Sequence, residues 1–255
     1  MTPVQFHSLS HLPGGVPLGE PDIHLWRARL DVPRERLEHL ERSLTPGERE
    51  RIASLRSDSD RRRATASRGL LRLVLSGYAG RPAAALRFDY GRAGKPALRA
   101  ASLDEPVHFN TTHSGDLMLV AVGRPSSLGI DVERIRPIAR AERVAARAYS
   151  EGERRRIEDL PPEVRTEAFV TCWTRKEACV KALGLGVWSA FSRFEVSVEP
   201  GSPARLLAVD GIASGAEDWS LVHLDPAPGF VGALAVRGRG WRFSAGTLDS
   251  SEAET

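Results

Sequence analysis

At 255 residues, with 41% hydrophobic and 27% charged residues, the chain has the length and composition of a soluble globular protein with one large domain or two compact halves. A formal charge of +3 is too small to single out nucleic acid as a partner, and no run approaches the roughly 18–20 apolar residues that span a bilayer. Residues 1–15 show neither the charged nor the apolar region of a secretory signal, and Cys172 and Cys179, about 10 Å apart along one predicted helix, cannot bridge within it, which points to a cytoplasmic location.

Residues 1–20, rich in Gly and Pro, read as a loosely packed lead-in. A first half over 21–123 offers a strand at 23–30 and a helix opened by Thr45-Pro46-Gly47-Glu48. An Arg-rich helix from about 60 to 78 ends at Gly80, and strands follow around 86–90, 107–110 and 117–122. A second half over 124–246 offers a strand at 128–133, a helix through 140–160 and a helix over 163–183 ending at Gly184. Strands near 194–198, 205–209, 221–224 and 231–236 complete it, and 247–255 read as a disordered acidic tail.

The element order repeats, and so do letters. Gly47-Glu48-Arg49-Glu50-Arg51-Ile52 matches Gly152-Glu153-Arg154-Arg155-Arg156-Ile157 at five of six positions. Short Arg/Glu-rich helix starts can match by chance, but the shared element order favours duplication. The predicted fold is therefore α+β: two similar halves forming a pseudo-dimer, with a ligand cleft between them.

Three stretches carry candidate chemistry. On a strand, Gly129-Ile130-Asp131-Val132-Glu133 turns Asp131 and Glu133 to one side, two acids that repel unless a hard cation such as Mg²⁺ lies between them. A strand end with its acids in solvent beside Arg134 and Arg136 would read the same way. On a helix, Glu177 and Lys181 share a face one turn apart, with Trp173 a turn earlier. Such pairs are commonly solvated bridges, but the apolar neighbours Phe169, Val170 and Val180 favour partial burial, where a carboxylate needs a compensating cation. Phe109-Asn110-Thr111-Thr112-His113-Ser114-Gly115 reads as a loop whose donors could close around phosphate, or as a polar turn with a structural histidine. Taken together, Asp131, Glu133 and Glu177 with Lys95, His113, Lys176 and Lys181 are the set that a metal-bridged pyrophosphate requires.

This set resembles the surfactin-synthetase-type (Sfp-type) 4′-phosphopantetheinyl transferases, through F-N-x-[ST]-H-S-G, G-[IV]-D-[IV]-E and W-x-x-K-E-x-x-x-K-x-x-G. The motifs run here from Phe109 to Gly115, Gly129 to Glu133 and Trp173 to Gly184, and the resemblance spans roughly residues 23–240. It implies that Asp131, Glu133 and Glu177 hold Mg²⁺ with the pyrophosphate of coenzyme A. It implies that Lys181 and Thr112 touch that pyrophosphate, that His113 and Arg51 face the 3′-phosphate, and that Ala93, Gly94, Lys95 and Pro96 line the adenine. It adds Arg63 as an expected further phosphate contact, and Lys176 is read as a further cation of the site. Glu48 departs from the family, which often carries a basic residue there; a Thr45-x-x-Glu48 capping box would give it a structural role.

The implied reaction is attack of a carrier-protein serine on the β-phosphorus of coenzyme A, releasing 3′,5′-ADP. Glu177 is the first candidate to take the serine proton and Glu153 the second, with Lys181 stabilising the leaving phosphate. The partners are an apo acyl- or peptidyl-carrier protein of fatty-acid, polyketide or nonribosomal-peptide synthesis and coenzyme A. Neither nucleic acid nor membrane is expected, and the chain is expected to be a monomer. The rival of another class is a non-catalytic module that binds coenzyme A or a carrier. A nucleic-acid binder is disfavoured because Glu48, Glu50, Glu142, Glu151, Glu153 and Glu158 interrupt the arginines.

Overall fold

Residues 4, 6–8, 16–91, 94–99, 106–185, 191–211 and 213–248 are described by the computed structural model of the chain. Its first run places β1 (His7–Ser8) and β2 (Asp22–Arg29) before α1 (Arg34–Arg42), α2 (Pro46–Ala53) and α3 (Asp58–Ala79). Thr45 and Glu48 close a capping box on α2, Ser57 caps α3, and Gly80 ends α3 in the left-handed conformation that lacks a Cβ penalty. The run finishes with β3 (Phe88–Tyr90), β4 (Pro96–Leu98), β5 (His108–Ser114) and β6 (Leu117–Gly123). A second run repeats the order: β7 (Leu128–Arg134), α4 (Ala141–Ala148), α5 (Glu151–Glu158), α6 (Pro162–Ala182), β8 (Phe194–Val196), β9 (Leu206–Val209), β10 (Trp219–Leu224) and β11 (Phe230–Arg237). β12 (Arg242–Leu248) follows.

The repeat extends to strand pairing. In each run the strand that leads into the helices pairs antiparallel with the run's last strand, and that one with the strand before it, giving β2–β6–β5 and β7–β11–β10, while β1 pairs parallel with β12. Each long helix is followed by a small antiparallel pair, β3–β4 or β8–β9.

Alternation along the strands decides how these parts stack. Trp26, Ala28, Met118 and Val120 face Leu70, Leu71 and Val74 of α3. Ile23, Leu25, Leu119 and Ala121, on the opposite face, pack against Ile130, Val132, Leu234 and Val236 of the second sheet. The far side of that sheet meets α6 through Val231, Ala233 and Ala235. The layers are therefore helix, sheet, sheet, helix, the mixed α+β fold expected, with an apolar seam joining the two sheets. Burying each Leu or Ile of that seam contributes about 1.5–3 kcal/mol.

Several expectations need correction. The helix predicted through 140–160 breaks at Tyr149–Ser150, because Ser150 caps a new helix and exchanges hydrogen bonds with Glu153. Helix α1 is an addition to the predicted elements although Leu37, Leu40 and Leu44 recur at helical spacing, whereas strand β12 carries too little alternation to be foreseen. β12 pairs parallel with β2, so the last strand joins the first sheet, and Thr247 and Leu248 belong to it rather than to a tail. Within the lead-in, Leu18 is buried and the Val16 N–H donates to Gly77 O. Residues 249–255 of the predicted tail lie outside the described residues. Among the described residues, no helix is long and apolar enough to cross a membrane.

Candidate active site

The site begins with a missing side chain. A Cβ at Gly129 would lie 2.1 Å from Ala178 O and 2.3 Å from Ala182 N, so only glycine lets α6 settle this closely on β7. That contact brings Glu177 and Lys181 of α6 to Asp131 and Glu133 of β7. Ile130 and Val132, alternating with the acids, anchor β7 in the seam between the sheets.

The stretch 109–114 lies in strand β5, not in the predicted loop, and Gly115 opens the turn that follows. Asn110, Thr112 and Ser114 alternate along β5, and all three reach β7. Asn110 Oδ1 accepts from the Ile130 N–H at 2.8 Å, Thr112 Oγ1 donates to Asp131 Oδ1 at 2.9 Å, and Ser114 Oγ donates to Glu133 Oε2 at 2.6 Å. Side chains thus take over the pairing between the two sheets where they meet at the site.

Lys181 Nζ donates to Asp131 Oδ1 at 2.6 Å and to Thr112 Oγ1 at 3.3 Å. Burial raises the Asp131 carboxyl above its ordinary range against the pull of Lys181 and Thr112. Burial likewise raises Glu133, opposed by Ser114 and reinforced by Asp131. Glu177 is pushed up to about 7, by burial first and then by the Asp131 charge, with Lys181 opposing. Asp131 Oδ2 and Glu177 Oε2 are buried and have no hydrogen-bond partner among the described residues. Two orphaned acceptors in a cluster of mutually repelling acids call for a positive charge. Among the described residues, no three His, Cys or acidic side chains stand close enough to cage a cation unaided. A site for Mg²⁺, which keeps waters and substrate phosphates as ligands, does not require such a cage. The donors present, all carboxylate and hydroxyl oxygen, fit that ion.

Beside this cluster opens a cavity of about 510 Å³. Arg51 of α2, Arg68 of α3, Tyr90 of β3, Pro96 of β4, Thr112 and His113 of β5 and Lys181 of α6 lie on its wall. It therefore runs between the first run and the C-terminal end of α6 in the second. His113 is lowered by burial, then by Lys181 and Arg63, so Arg63 reaches this end of the site by its charge although its side chain is exposed and paired with Asp60. The Arg51 guanidinium lies 5.9 Å from the Tyr90 ring centre.

Other predicted residues have different roles. Lys95 Nζ donates to Leu128 O and Lys181 O, both at 2.8 Å, pinning β4 to the start of β7 and the end of α6; burial lowers it to about 8. Gly94, at φ 78°, supplies the turn before it. Ala93 lies outside the described residues.

Glu153 and Lys176 need correction. Both are fully buried, and Lys176 Nζ donates to Glu153 Oε1 and Oε2 at 3.0 and 2.8 Å. Glu153 also accepts from the Ser150 and Val196 N–H groups, so no lone pair faces a substrate. Adjacent helix residues differ by about 100° in direction, which turns Lys176 into the core while Glu177 faces the cleft.

Glu48 keeps the capping box predicted for it: Thr45 N–H donates to its Oε2 at 2.8 Å. It also accepts from Arg68 Nε at 2.5 Å and from Arg72 Nη2 at 3.0 Å. Arg68, Tyr90 and Ser114 were not singled out from sequence. The 110, 112, 114 alternation could have found Ser114; nothing local marks the other two.

Comparison with known proteins gives two family matches. The 4′-phosphopantetheinyl transferase superfamily matches residues 127–234, and the N-terminal part of 4′-phosphopantetheinyl transferases matches residues 31–124. The chain is 36% identical over 236 residues to the 4′-phosphopantetheinyl transferase HetI of Nostoc sp., spanning 92% of this chain and 96% of that protein. It is 38% identical over 117 residues to the 4′-phosphopantetheinyl transferase AcpT of Salmonella typhimurium, spanning 46% of this chain and 57% of that one. It is 28% identical over 167 residues to the L-aminoadipate-semialdehyde dehydrogenase-phosphopantetheinyl transferase of Mus musculus, spanning 62% and 54%.

Proposed function

Because the chain belongs to the 4′-phosphopantetheinyl transferase superfamily, we propose that Asp131, Glu133 and Glu177 hold Mg²⁺ for the transfer and that Lys181 works beside them. The enzyme moves the phosphopantetheine arm of coenzyme A to a carrier protein, and the whole-length likeness to a transferase speaks against the non-catalytic alternative. The observation that carries the proposal is the pair of orphaned buried oxygens, Asp131 Oδ2 and Glu177 Oε2, beside a cation-lined cavity.

In the transfer, the serine oxygen bonds to the β-phosphorus and the bond from that phosphorus to the bridging oxygen breaks, releasing 3′,5′-ADP. Bound Mg²⁺ would neutralise charge on the pyrophosphate oxygens. Of the two carboxylates read as bases, Glu177 is the one with an unpartnered oxygen among the described residues, which makes it the candidate to take the serine proton. Lys181, fixed by Asp131 and Thr112, holds charge on the departing phosphate, while Thr112 and His113 form the adjacent wall. Arg51 and Arg63 bring cations to the nucleotide end, with Gly94, Lys95 and Pro96 beside it. One chain supplies both walls, which supports a monomer; the cytoplasm as its place of action and carriers of fatty-acid, polyketide or nonribosomal-peptide synthesis as its partners belong to the same proposal.

Intact-mass analysis of apo-carriers with this protein, coenzyme A and Mg²⁺ tests the reading. Each accepted carrier gains one phosphopantetheinyl mass, and a chelator stops the gain. Transfer that persists in excess chelator removes the metal from the account.

A further inference from the structure

We propose that Arg68 is a specificity residue that recognises the nucleotide phosphate of coenzyme A, and that Glu48 and Tyr90 clamp it for that task. The proposal deepens the transferase reading and rests on it for the identity of the ligand.

The charges around the cavity are unevenly balanced. At one end Lys181 is matched by Asp131 at 2.6 Å. At the other, the single carboxylate of Glu48 faces two guanidiniums, Arg68 at 2.5 Å and Arg72 at 2.9 Å. One positive charge is left over. Arg72 cannot present it, being 1% exposed with Nη1 committed to Ala83 O and Leu86 O. Arg68 lies on the cavity wall, so the surplus is displayed there.

Its guanidinium is also held in place. Nε donates to Glu48, Nη2 donates to the Tyr90 hydroxyl at 2.9 Å, and Cζ lies 4.1 Å from the Phe88 ring centre. This clamp leaves the Nη1 amino group outside it. Ala64, one turn earlier on the same helix face, puts only a methyl group on the cavity and leaves space beside Arg68. Arg51 adds a second cation at the same end. A planar fork ordered before the ligand arrives suits a phosphate and avoids the entropy of ordering it on binding. Coenzyme A therefore lies with its 3′-phosphate at Arg68 and its pyrophosphate toward Lys181 and the acids.

The test compares ligands that differ by that phosphate. Calorimetry with adenosine 3′,5′-bisphosphate and with adenosine 5′-monophosphate, and KM values for coenzyme A and dephospho-coenzyme A, are measured in wild type, Arg68→Ala, Arg68→Lys and Tyr90→Phe. Arg68→Ala weakens bisphosphate binding and raises the coenzyme A KM at least ~tenfold, while both ligands lacking the 3′-phosphate change less than about threefold. Arg68→Lys keeps the charge but cannot hold Glu48 and Tyr90 together, and falls between. If Arg68→Ala proves unfolded by thermal melting, Arg68→Lys and Tyr90→Phe decide by the same ligand comparison. Equal losses with and without the 3′-phosphate, or no loss, overturn the proposal. A wild type that binds the bisphosphate through Arg68 but transfers nothing to any carrier upholds it and defeats the transferase reading instead.

Discussion

Lys181 Nζ sits 2.6 Å from Asp131 Oδ1, while the other oxygen of the same buried carboxylate has no hydrogen-bond partner among the described residues. Half of Asp131 is satisfied by the fold and half is held open. A buried carboxylate oxygen left open costs stability, a common trade at sites built for function.

Removing the charge at this position should therefore stabilise the metal-free protein. Asp131→Asn keeps the shape, can still accept from Thr112, and removes the repulsion that the Asp131 charge exerts on Glu133 and Glu177. Its melting temperature without Mg²⁺ is expected to equal or exceed wild type by a few degrees, about 1 kcal/mol. A clear drop would show that the Lys181 bond outweighs the open oxygen.

Glu177 makes metal-free stability depend on pH. With its carboxyl raised from 4.5 to about 7, the folded protein keeps a proton that the unfolded chain releases. Its contribution is fully present below pH 4.5 and fades as pH rises through about 7. In melts without divalent metal, wild type should lose more stability than Glu177→Gln across that window. Parallel curves would place Glu177 in an ordinary solvated environment.

The buried pair Glu153–Lys176 should behave as structure. Lys176→Met leaves Glu153 charged without its cation and should cost about 3–5 kcal/mol in urea unfolding, while Glu153→Gln with Lys176→Met recovers most of it. A Lys176→Met protein of normal stability but raised coenzyme A KM would make Lys176 a ligand after all.

Gly129→Ala would force a methyl group to within 2.1 Å of Ala178 O. Either α6 shifts, carrying Glu177 and Lys181 off Asp131, or β7 bends. The variant should lose about 1–3 kcal/mol or more, with a fall in turnover larger than any change in coenzyme A affinity. Wild-type melting and turnover would mean that the β7–α6 contact does not position the site.

What could be read from the chain was local. Asp131 and Glu133 share a face by strand alternation, Glu177 and Lys181 by one helical turn, and Glu48 by its capping box with Thr45. What could not be read depends on partners distant in sequence. The backbone that excludes a side chain at Gly129 belongs to a helix nearly fifty residues later. The arginines on Glu48 lie 20 and 24 residues away, and no motif announces them. Lys176 misled because adjacency in a motif implies a shared role, whereas one helical step points it elsewhere. β12 was missed because its burial is mixed and its partner β2 lies at the far end of the chain.

The most direct measurement is single-turnover phosphopantetheinyl transfer to an apo-carrier, followed by intact mass at saturating coenzyme A and Mg²⁺, in wild type, Asp131→Asn and Glu177→Gln. Wild type should convert the carrier completely, and both variants should be at least ~100-fold slower while still folded and still binding adenosine 3′,5′-bisphosphate. Near-wild-type transfer by either variant would contradict the placement of the chemistry at Asp131 and Glu177.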